Sequence, residues 1–137
     1  MPAYSSTPLA KKLGFKDGTR YLLVGTPKDF DRELAPLPVT AVAVPPRAEE
    51  IDLIVCFAAN LRVLTAHLPA LIKKLPAAGI LWIAWPKQAS GVETDLRENV
   101  VRDTLLKTGL VDIKVCSVND IYSGLKFVRR LKDRAKL

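Results

Sequence analysis

Histidine and methionine occur once each in these 137 residues, cysteine twice and glycine seven times, and each scarcity removes a class of chemistry. A single histidine, His67, leaves no partner for a two-histidine metal site and no second base around which a serine nucleophile is arranged. It sits at the edge of an apolar helical stripe and reads as a partly exposed structural residue. Cys56 and Cys116 each lie inside an apolar run rather than at ligand spacing, so two buried, reduced thiols are expected instead of a disulfide or a zinc site. The glycines are scattered, and neither a G-x-G-x-x-G turn nor a Walker loop can be written anywhere along the chain. Asp52, Asp95, Asp112 and Asp120 stand too far apart in sequence to be placed as a general acid–base pair. No apolar run approaches the ~18 residues of a membrane span, and Met1 to Ser6 has neither a basic nor an apolar leader region; the expected compartment is the cytoplasm.

What is present suits one folded domain. Hydrophobic residues make up 49% and charged residues 26%, which excludes long disorder. A single Rossmann-like domain is expected over 1–131, followed by a basic tail over 132–137. The formal charge is +7, from 21 lysines and arginines against 14 carboxylates. Lys126, Arg129, Arg130, Lys132, Arg134 and Lys136 crowd the carboxyl terminus, and Lys11, Lys12, Lys16 and Arg20 form a second cluster near the start. Lys126, Arg129, Arg130, Lys132 and Arg134 are the candidate nucleic-acid contacts, through salt-dependent attraction to phosphates. The other reading is a solvated tail that keeps the protein soluble.

The pattern along the chain is that of an open α/β sheet. Thr7-Pro8 reads as a helix cap followed by a first helical residue, and Gly14 closes that helix. Tyr21 to Val24 reads as a strand covered on both faces, and Thr26-Pro27 starts a short helix that runs to about Leu34. Val39 to Val44 reads as a second strand. Too few residues separate it from the next strand for a helical crossover, so it is either a short parallel edge strand or an antiparallel one. Leu53 to Phe57 is a buried strand, and Asn60 caps the helix after it, whose stripe is Leu61, Leu64, Leu68, Leu71, Ile72 and Leu75. Pro69 predicts a kink or restart there. Ile80 to Ala84 is the next buried strand. Ser90-Gly91-Val92-Glu93 has capping-box spacing, with Thr94-Asp95 as a second cap, for a helix over about Asp95 to Lys107. Val111 to Val118 and Gly124 to Val128 then form an antiparallel hairpin. The fold class is therefore α/β: a three-layer Rossmann-like open sheet, mostly parallel, with a C-terminal antiparallel hairpin.

Sheets of this kind keep ligands at the carboxyl ends of their strands. The candidate ligand-binding residues are accordingly Gly25 and Thr26 after the first strand, Asn60 after the third, and Trp85, Lys87, Ser90, Gly91, Thr94 and Asp95 around the fourth. A lysine beside a helix start is a competent anion site, with Asp95 the one opposing charge. No residue is singled out as catalytic or as a metal ligand.

Asp52-Leu53-Ile54-Val55, the leucine helix and Leu75-Pro76-Ala77-Ala78-Gly79-Ile80-Leu81 resemble the fourth strand, helix and fifth strand of S-adenosylmethionine-dependent methyltransferases. That family has a glycine-rich turn after its first strand and an acidic residue at the end of its second. Here Val24-Gly25-Thr26-Pro27 and Val42-Ala43-Val44-Pro45-Pro46 stand at those places. The resemblance therefore implies the fold without its usual motifs for S-adenosylmethionine, and no cofactor is predicted. Three further segments, Tyr4 to Gly14, Trp85 to Gly91 with Thr94-Asp95-Leu96, and Val111 to Cys116 through Ser123 to Lys126, resemble a family of short bacterial proteins known as a domain of unknown function. That label implies no reaction. The expected function is a non-catalytic or degenerate Rossmann-like domain binding a small anionic ligand or a protein partner at the carboxyl edge. The alternatives are a small methyltransferase-like enzyme with an atypical cofactor loop and a nucleic-acid-binding protein that uses its basic tail.

Overall fold

The computed structural model of the protein describes residues 7–135. A six-stranded sheet, β1 (Arg20–Val24), β2 (Val42–Ala43), β3 (Leu53–Phe57), β4 (Ile80–Pro86), β5 (Leu110–Ser117) and β6 (Tyr122–Arg129), runs in the order β2-β1-β3-β4-β6-β5. Its first four strands are parallel, and β6 is antiparallel to both β4 and β5. Helices α1 (Leu9–Leu13) and α2 (Phe30–Leu34) cover one face, while α3 (Leu61–Lys73) and α4 (Glu98–Leu106) cover the other.

Strand alternation sorts the core into two layers. Leu53, Val55, Phe57, Trp82 and Ala84 pack with Leu13, Phe30 and Leu34 under α1 and α2. Ile54, Cys56, Leu81, Ile83 and Trp85 pack with Leu64, Leu68, Leu71, Val101 and Leu105 under α3 and α4. All of β3 and all but the first residue of β4 are buried, as their unbroken apolar runs require. Tyr21, Leu23 and Val24 of β1 are only half-buried, because the neighbour beyond them is a strand of two residues.

That short strand explains the tight connection to β3. Rather than six residues, only Val42–Ala43 pair, parallel to β1, opposite Arg20 and Tyr21. β3 begins opposite the same Tyr21, so the chain leaves β2 level with the start of β3 and has almost no distance to recover. The linker is held by Ile51 N–H donating to Lys74 O at 2.8 Å, Lys74 Nζ donating to Ala48 O at 2.8 Å and Asp52 N–H donating to Arg20 O at 2.9 Å.

Several element starts differ from expectation. Pro8 itself occupies the cap position of α1, one residue earlier in the helix frame than Thr7-Pro8 implied. α2 starts at Phe30, because a turn closed by Phe30 N–H on Pro27 O precedes it and aims the Phe30 ring edge-on at Phe57, 4.8 Å between centroids. α3 continues through Pro69 without a restart; its apolar stripe against the sheet outweighs one missing backbone donor. α4 begins at Glu98 rather than Asp95. At the other end of α3, Arg129 donates to Ile72 O at 2.7 Å and to Leu75 O at 2.9 Å, satisfying carbonyls at the negative end of the helix. Residues 131–134, within the expected tail and its junction, form the short helix α5 (Leu131–Arg134).

Both cysteines are free. Cys56 is buried, which pushes its thiol up to about 11. Cys116 is half-buried rather than buried, because β5 is an edge strand with one side open. No helix among the described residues is long and apolar enough to cross a membrane.

Candidate functional site

The carboxyl edge of the sheet gathers the exits of β1, β3 and β4 and the turn joining β5 to β6. At the exit of β1, Gly25 has φ +67°, and a Cβ there would lie 2.6 Å from the Phe57 carbonyl oxygen of β3. The backbones leaving β1 and β3 are thus in direct contact, and the exposed Thr26 follows that seam.

The start of α3 lies next to it. Asn60 Oδ1 accepts from Val63 N–H at 2.9 Å, as its position predicted. Asp95 does not open α4; its Oδ1 accepts from Leu61 N–H at 2.8 Å and so caps α3 from a distant segment. Thr94 hydroxyl donates to Ala59 O at 2.7 Å and accepts from Leu96 N–H at 3.1 Å, tying that segment across the helix end. The expected capping box at Ser90 is absent for the same reason that α4 starts late. Ser90 hydroxyl donates to Lys87 O at 2.6 Å and accepts from Val92 N–H at 3.2 Å, closing a 3-10 turn over Gln88–Ser90 that Gly91 ends. α4 then starts behind Arg97 with no side-chain cap.

The positive end of α3 therefore already faces a carboxylate of the chain itself. Asn60→Ala and Asp95→Ala are each expected to lower stability by about 1 kcal/mol in urea unfolding, and the double variant by more than either. An unchanged midpoint for Asp95→Ala would show that this carboxylate is not part of the helix end.

Lys87 leaves the edge of β4 with its backbone N–H on Ile121 O at 2.7 Å, and its Nζ donates to Ser117 Oγ at 2.7 Å. Lys12 Nζ, from α1, donates to Ser117 O at 3.3 Å. The Lys87–Ser117 separation is that of a serine–lysine dyad, but the Ser117 hydroxyl gives its proton to Asn119 O at 3.2 Å. The lysine is accordingly the donor in this contact, and nothing removes the hydroxyl proton. The backbone amides of Val118 and Asn119 both donate to Tyr122 O, so neither is available as an oxyanion donor. Two lysine ammonium groups thus converge on Ser117 at this edge.

Of the remaining predicted site residues, Trp85 belongs to the core at 4% exposure, and Gly91 is exposed. Among the basic candidates, Arg129 is spent on the end of α3, Arg134 Nε donates to Arg129 O at 3.2 Å, and Arg130 Nε is buried. Lys132 is exposed, and Lys126 is half-buried on β6 opposite Trp82 and beside Lys114. Sequence reasoning missed Lys12 and Ser117 as neighbours at Lys87, and Lys114 as the neighbour of Lys126. The one signal available was the alternation of Val111, Ile113 and Val115, which sets Lys114 apart from its apolar neighbours.

Three clefts lined by described residues accompany these features. One of about 570 Å³ lies beside α2 and the β1–β2 edge, among Tyr21, Leu23, Leu34, Leu37 and Val44. One of about 450 Å³ lies between Leu9, Glu33, Val118, Asn119 and Ile121. The third, about 320 Å³, is at the amino edge around Lys16, Asp17, Thr19 and Asp52. No group of three metal-ligating side chains occurs among the described residues.

The residues do not fit the two contacts by which the methyltransferase resemblance would hold S-adenosylmethionine. The turn after β1 has one glycine, and that glycine is pressed on β3. β2 ends level with Tyr21, three residues before β1 ends, so its exit does not reach the carboxyl edge at all, and it carries Val44-Pro45-Pro46 where the acidic residue would stand.

No family model and no curated protein matches the chain. Its fold is similar to that of several solved structures. They include DhpI in complex with SAH (TM-score 0.60, 11% identity, 90% of this chain and 84% of that one). Another is the fibrillarin of Aeropyrum pernix with natively bound S-adenosyl-L-methionine (TM-score 0.56, 15% identity, 88% and 73%). A third is the precorrin-6y C5,15-methyltransferase of Geobacter metallireducens GS-15 (TM-score 0.57, 9% identity, 89% and 86%). At these identities the likeness is one of architecture: the chain has a mixed, mostly parallel six-stranded α/β sheet with an antiparallel C-terminal pair, the methyltransferase-like Rossmann fold.

Proposed function

We propose that this protein is a non-catalytic binding domain on a methyltransferase-like fold, taking an anionic ligand or an acidic partner at the carboxyl edge of its sheet. The observation that carries this reading is the closed seam between the exits of β1 and β3, where Gly25 lies against Phe57 O, beside the lysine pair Lys12 and Lys87 on Ser117. The first argues against a glycine cradle for a methyl donor; the second supports recognition of negative charge one strand away.

A second reading, a methyltransferase-like enzyme with an atypical cofactor loop, is favoured by the fold's likeness to DhpI with SAH and to a fibrillarin with S-adenosyl-L-methionine. Thermal unfolding separates the two. A ligand at a hundredfold its dissociation constant stabilises the fold by about 2.7 kcal/mol, a midpoint rise on the order of 10 °C for a domain of this size. The binding-domain reading expects no rise with either S-adenosylmethionine or SAH at millimolar concentration. A saturable rise that Lys87→Ala weakens would replace it with the enzyme.

A further inference from the structure

We propose that the face of β5 and β6 bearing Lys114 and Lys126, together with Lys12 and Lys16 at the α1 side and Lys87 at the end of β4, binds the phosphate backbone of a nucleic-acid duplex. The inference rests on the reading of this chain as a binding domain and names its ligand.

The sheet register builds the face. Lys114 pairs with Lys126 across β5 and β6, and Lys126 pairs with Trp82 on β4, so both lysines project to the side of the sheet that α1 covers. α1 is five residues long and bonds to the hairpin through Lys12 on Ser117; Lys114 is exposed and Lys126 half-buried. Lys114 and Ser117 are three residues apart on β5, so Lys114 stands about 10 Å along the strand from the Lys12 and Lys87 pair at Ser117, and Lys16 adds a cation toward the amino edge. Their mutual influence is visible at two side chains. The Lys126 ammonium is held below its ordinary value first by burial and then by Lys114 and Lys16. The Cys116 thiol is raised by burial against the opposing pull of Lys12, Lys114 and Lys87.

Five cations so placed repel one another. The ion pairs of Arg32 with Asp29 and of Arg102 with Glu98 and Asp112 involve none of these lysines. Of the carboxylates near this face, Glu33 accepts from Asn119 at 2.8 Å, and Asp17 accepts from Thr40 at 3.2 Å. On this proposal the opposing charge comes from a bound polyanion.

Its form follows from extent and from the absence of other anchors. A small phosphate is matched by Lys12 and Lys87 alone, whereas a row about 10 Å long matches the closely spaced charges of a duplex. A protein partner needs a desolvated apolar anchor. The exposed apolar side chains of the hairpin do not lie together: Val115 pairs with Leu125 and belongs to the opposite side of the sheet, Ile113 sits at the irregularity between Asp112 and Lys114, and Ile121 is in the turn. A single strand is held largely by stacking on exposed rings. Here Tyr122 is edge-on to Phe57 and Tyr21 edge-on to Phe15, each 5.0 Å between centroids, and both tryptophans are buried. Lysine point charges without rings or arginine forks fit backbone contact that is indifferent to sequence.

Fluorescence anisotropy of a labelled 20-base-pair duplex with the full chain, over 50 to 300 mM KCl, tests this. Five phosphate contacts give a slope of log K against log salt of about −4.5. Lys16→Gln with Lys114→Gln, both at exposed positions, is expected to weaken binding at least tenfold at 50 mM and to flatten the slope by about 2. Lys132→Gln with Arg134→Gln is expected to change neither by more than twofold. Failure to bind the duplex at 50 mM overturns the proposal, as does tighter binding of the corresponding single strand. Loss of binding in the Lys132 and Arg134 variant but not in the Lys16 and Lys114 variant also overturns it. None of these results bears on the cofactor measurement, so the two readings fail separately.

Discussion

Trp82→Ala is expected to cost about 3–5 kcal/mol in urea unfolding, a large fraction of the whole stability of a domain this size. Trp82 is the largest fully buried side chain, 1% exposed at the centre of the layer under α1 and α2. It does two jobs there. Its ring fills the space that Gly124 leaves open on β6: a Cβ at Gly124 would stand 3.2 Å from Trp82 Cε3. Its Nε1 donates to Leu13 O at 2.7 Å, and this buried bond, 69 residues apart in sequence, fastens α1 to the sheet. Trp82→Phe separates the two roles. It keeps most of the packing but leaves the Leu13 carbonyl without its donor, and a buried acceptor left unpaired costs about 1–3 kcal/mol. If Trp82→Phe cost less than about 0.5 kcal/mol, the indole bond would not be what holds α1 in place.

Gly25→Ala is expected to cost on the order of 3 kcal/mol or more, and Gly18→Ala about 1 kcal/mol. Both glycines have positive φ, +67° and +78°, so an alanine at either is strained by roughly 1–2 kcal/mol. Around Gly18 no atom lies within 4 Å of the added carbon, whereas at Gly25 that carbon meets backbone oxygen at 2.6 Å. A backbone oxygen held in a buried parallel strand cannot swing away as a flexible side chain does. The difference between the two variants in urea therefore measures how firmly the exits of β1 and β3 are closed against each other. Equal losses would mean that the seam opens readily, and the space for a methyl donor at this edge would have to be reconsidered.

The uninterrupted apolar runs over Leu53 to Phe57 and Ile80 to Ala84 made β3 and β4 legible, because a strand buried on both faces has no polar position to spare. Asn60 was legible as a cap because its amide reaches an N–H only three residues on. Asp95 was not. Its partner is Leu61, 34 residues earlier, and local spacing instead suggested that it began the helix after it. The box at Ser90 was misleading in the same way: Gly91 turns the chain after a single 3-10 turn, so the spacing of a helix start is present without a helix. At β2, local β-propensity over Val39 to Val44 suggested a longer strand than the two residues that pair, since pairing needs a partner within reach and only the start of β1 offers one.

The basic residues divide along the same line. The count of +7 was plain, but charge density along the chain pointed to the carboxyl terminus, where Arg129 turned out to serve the carbonyls that end α3. The lysines that do share a face come from α1, the end of β4 and both strands of the hairpin. By itself the sequence determined the layer architecture, the two central strands, the antiparallel hairpin and the absence of a glycine cradle, because those depend on periodicity and on residue types within a few positions. The tertiary structure alone decided which carboxylate caps α3, why Gly25 must be glycine and which lysines stand together, because each depends on groups brought close by sheet order and register across tens of residues.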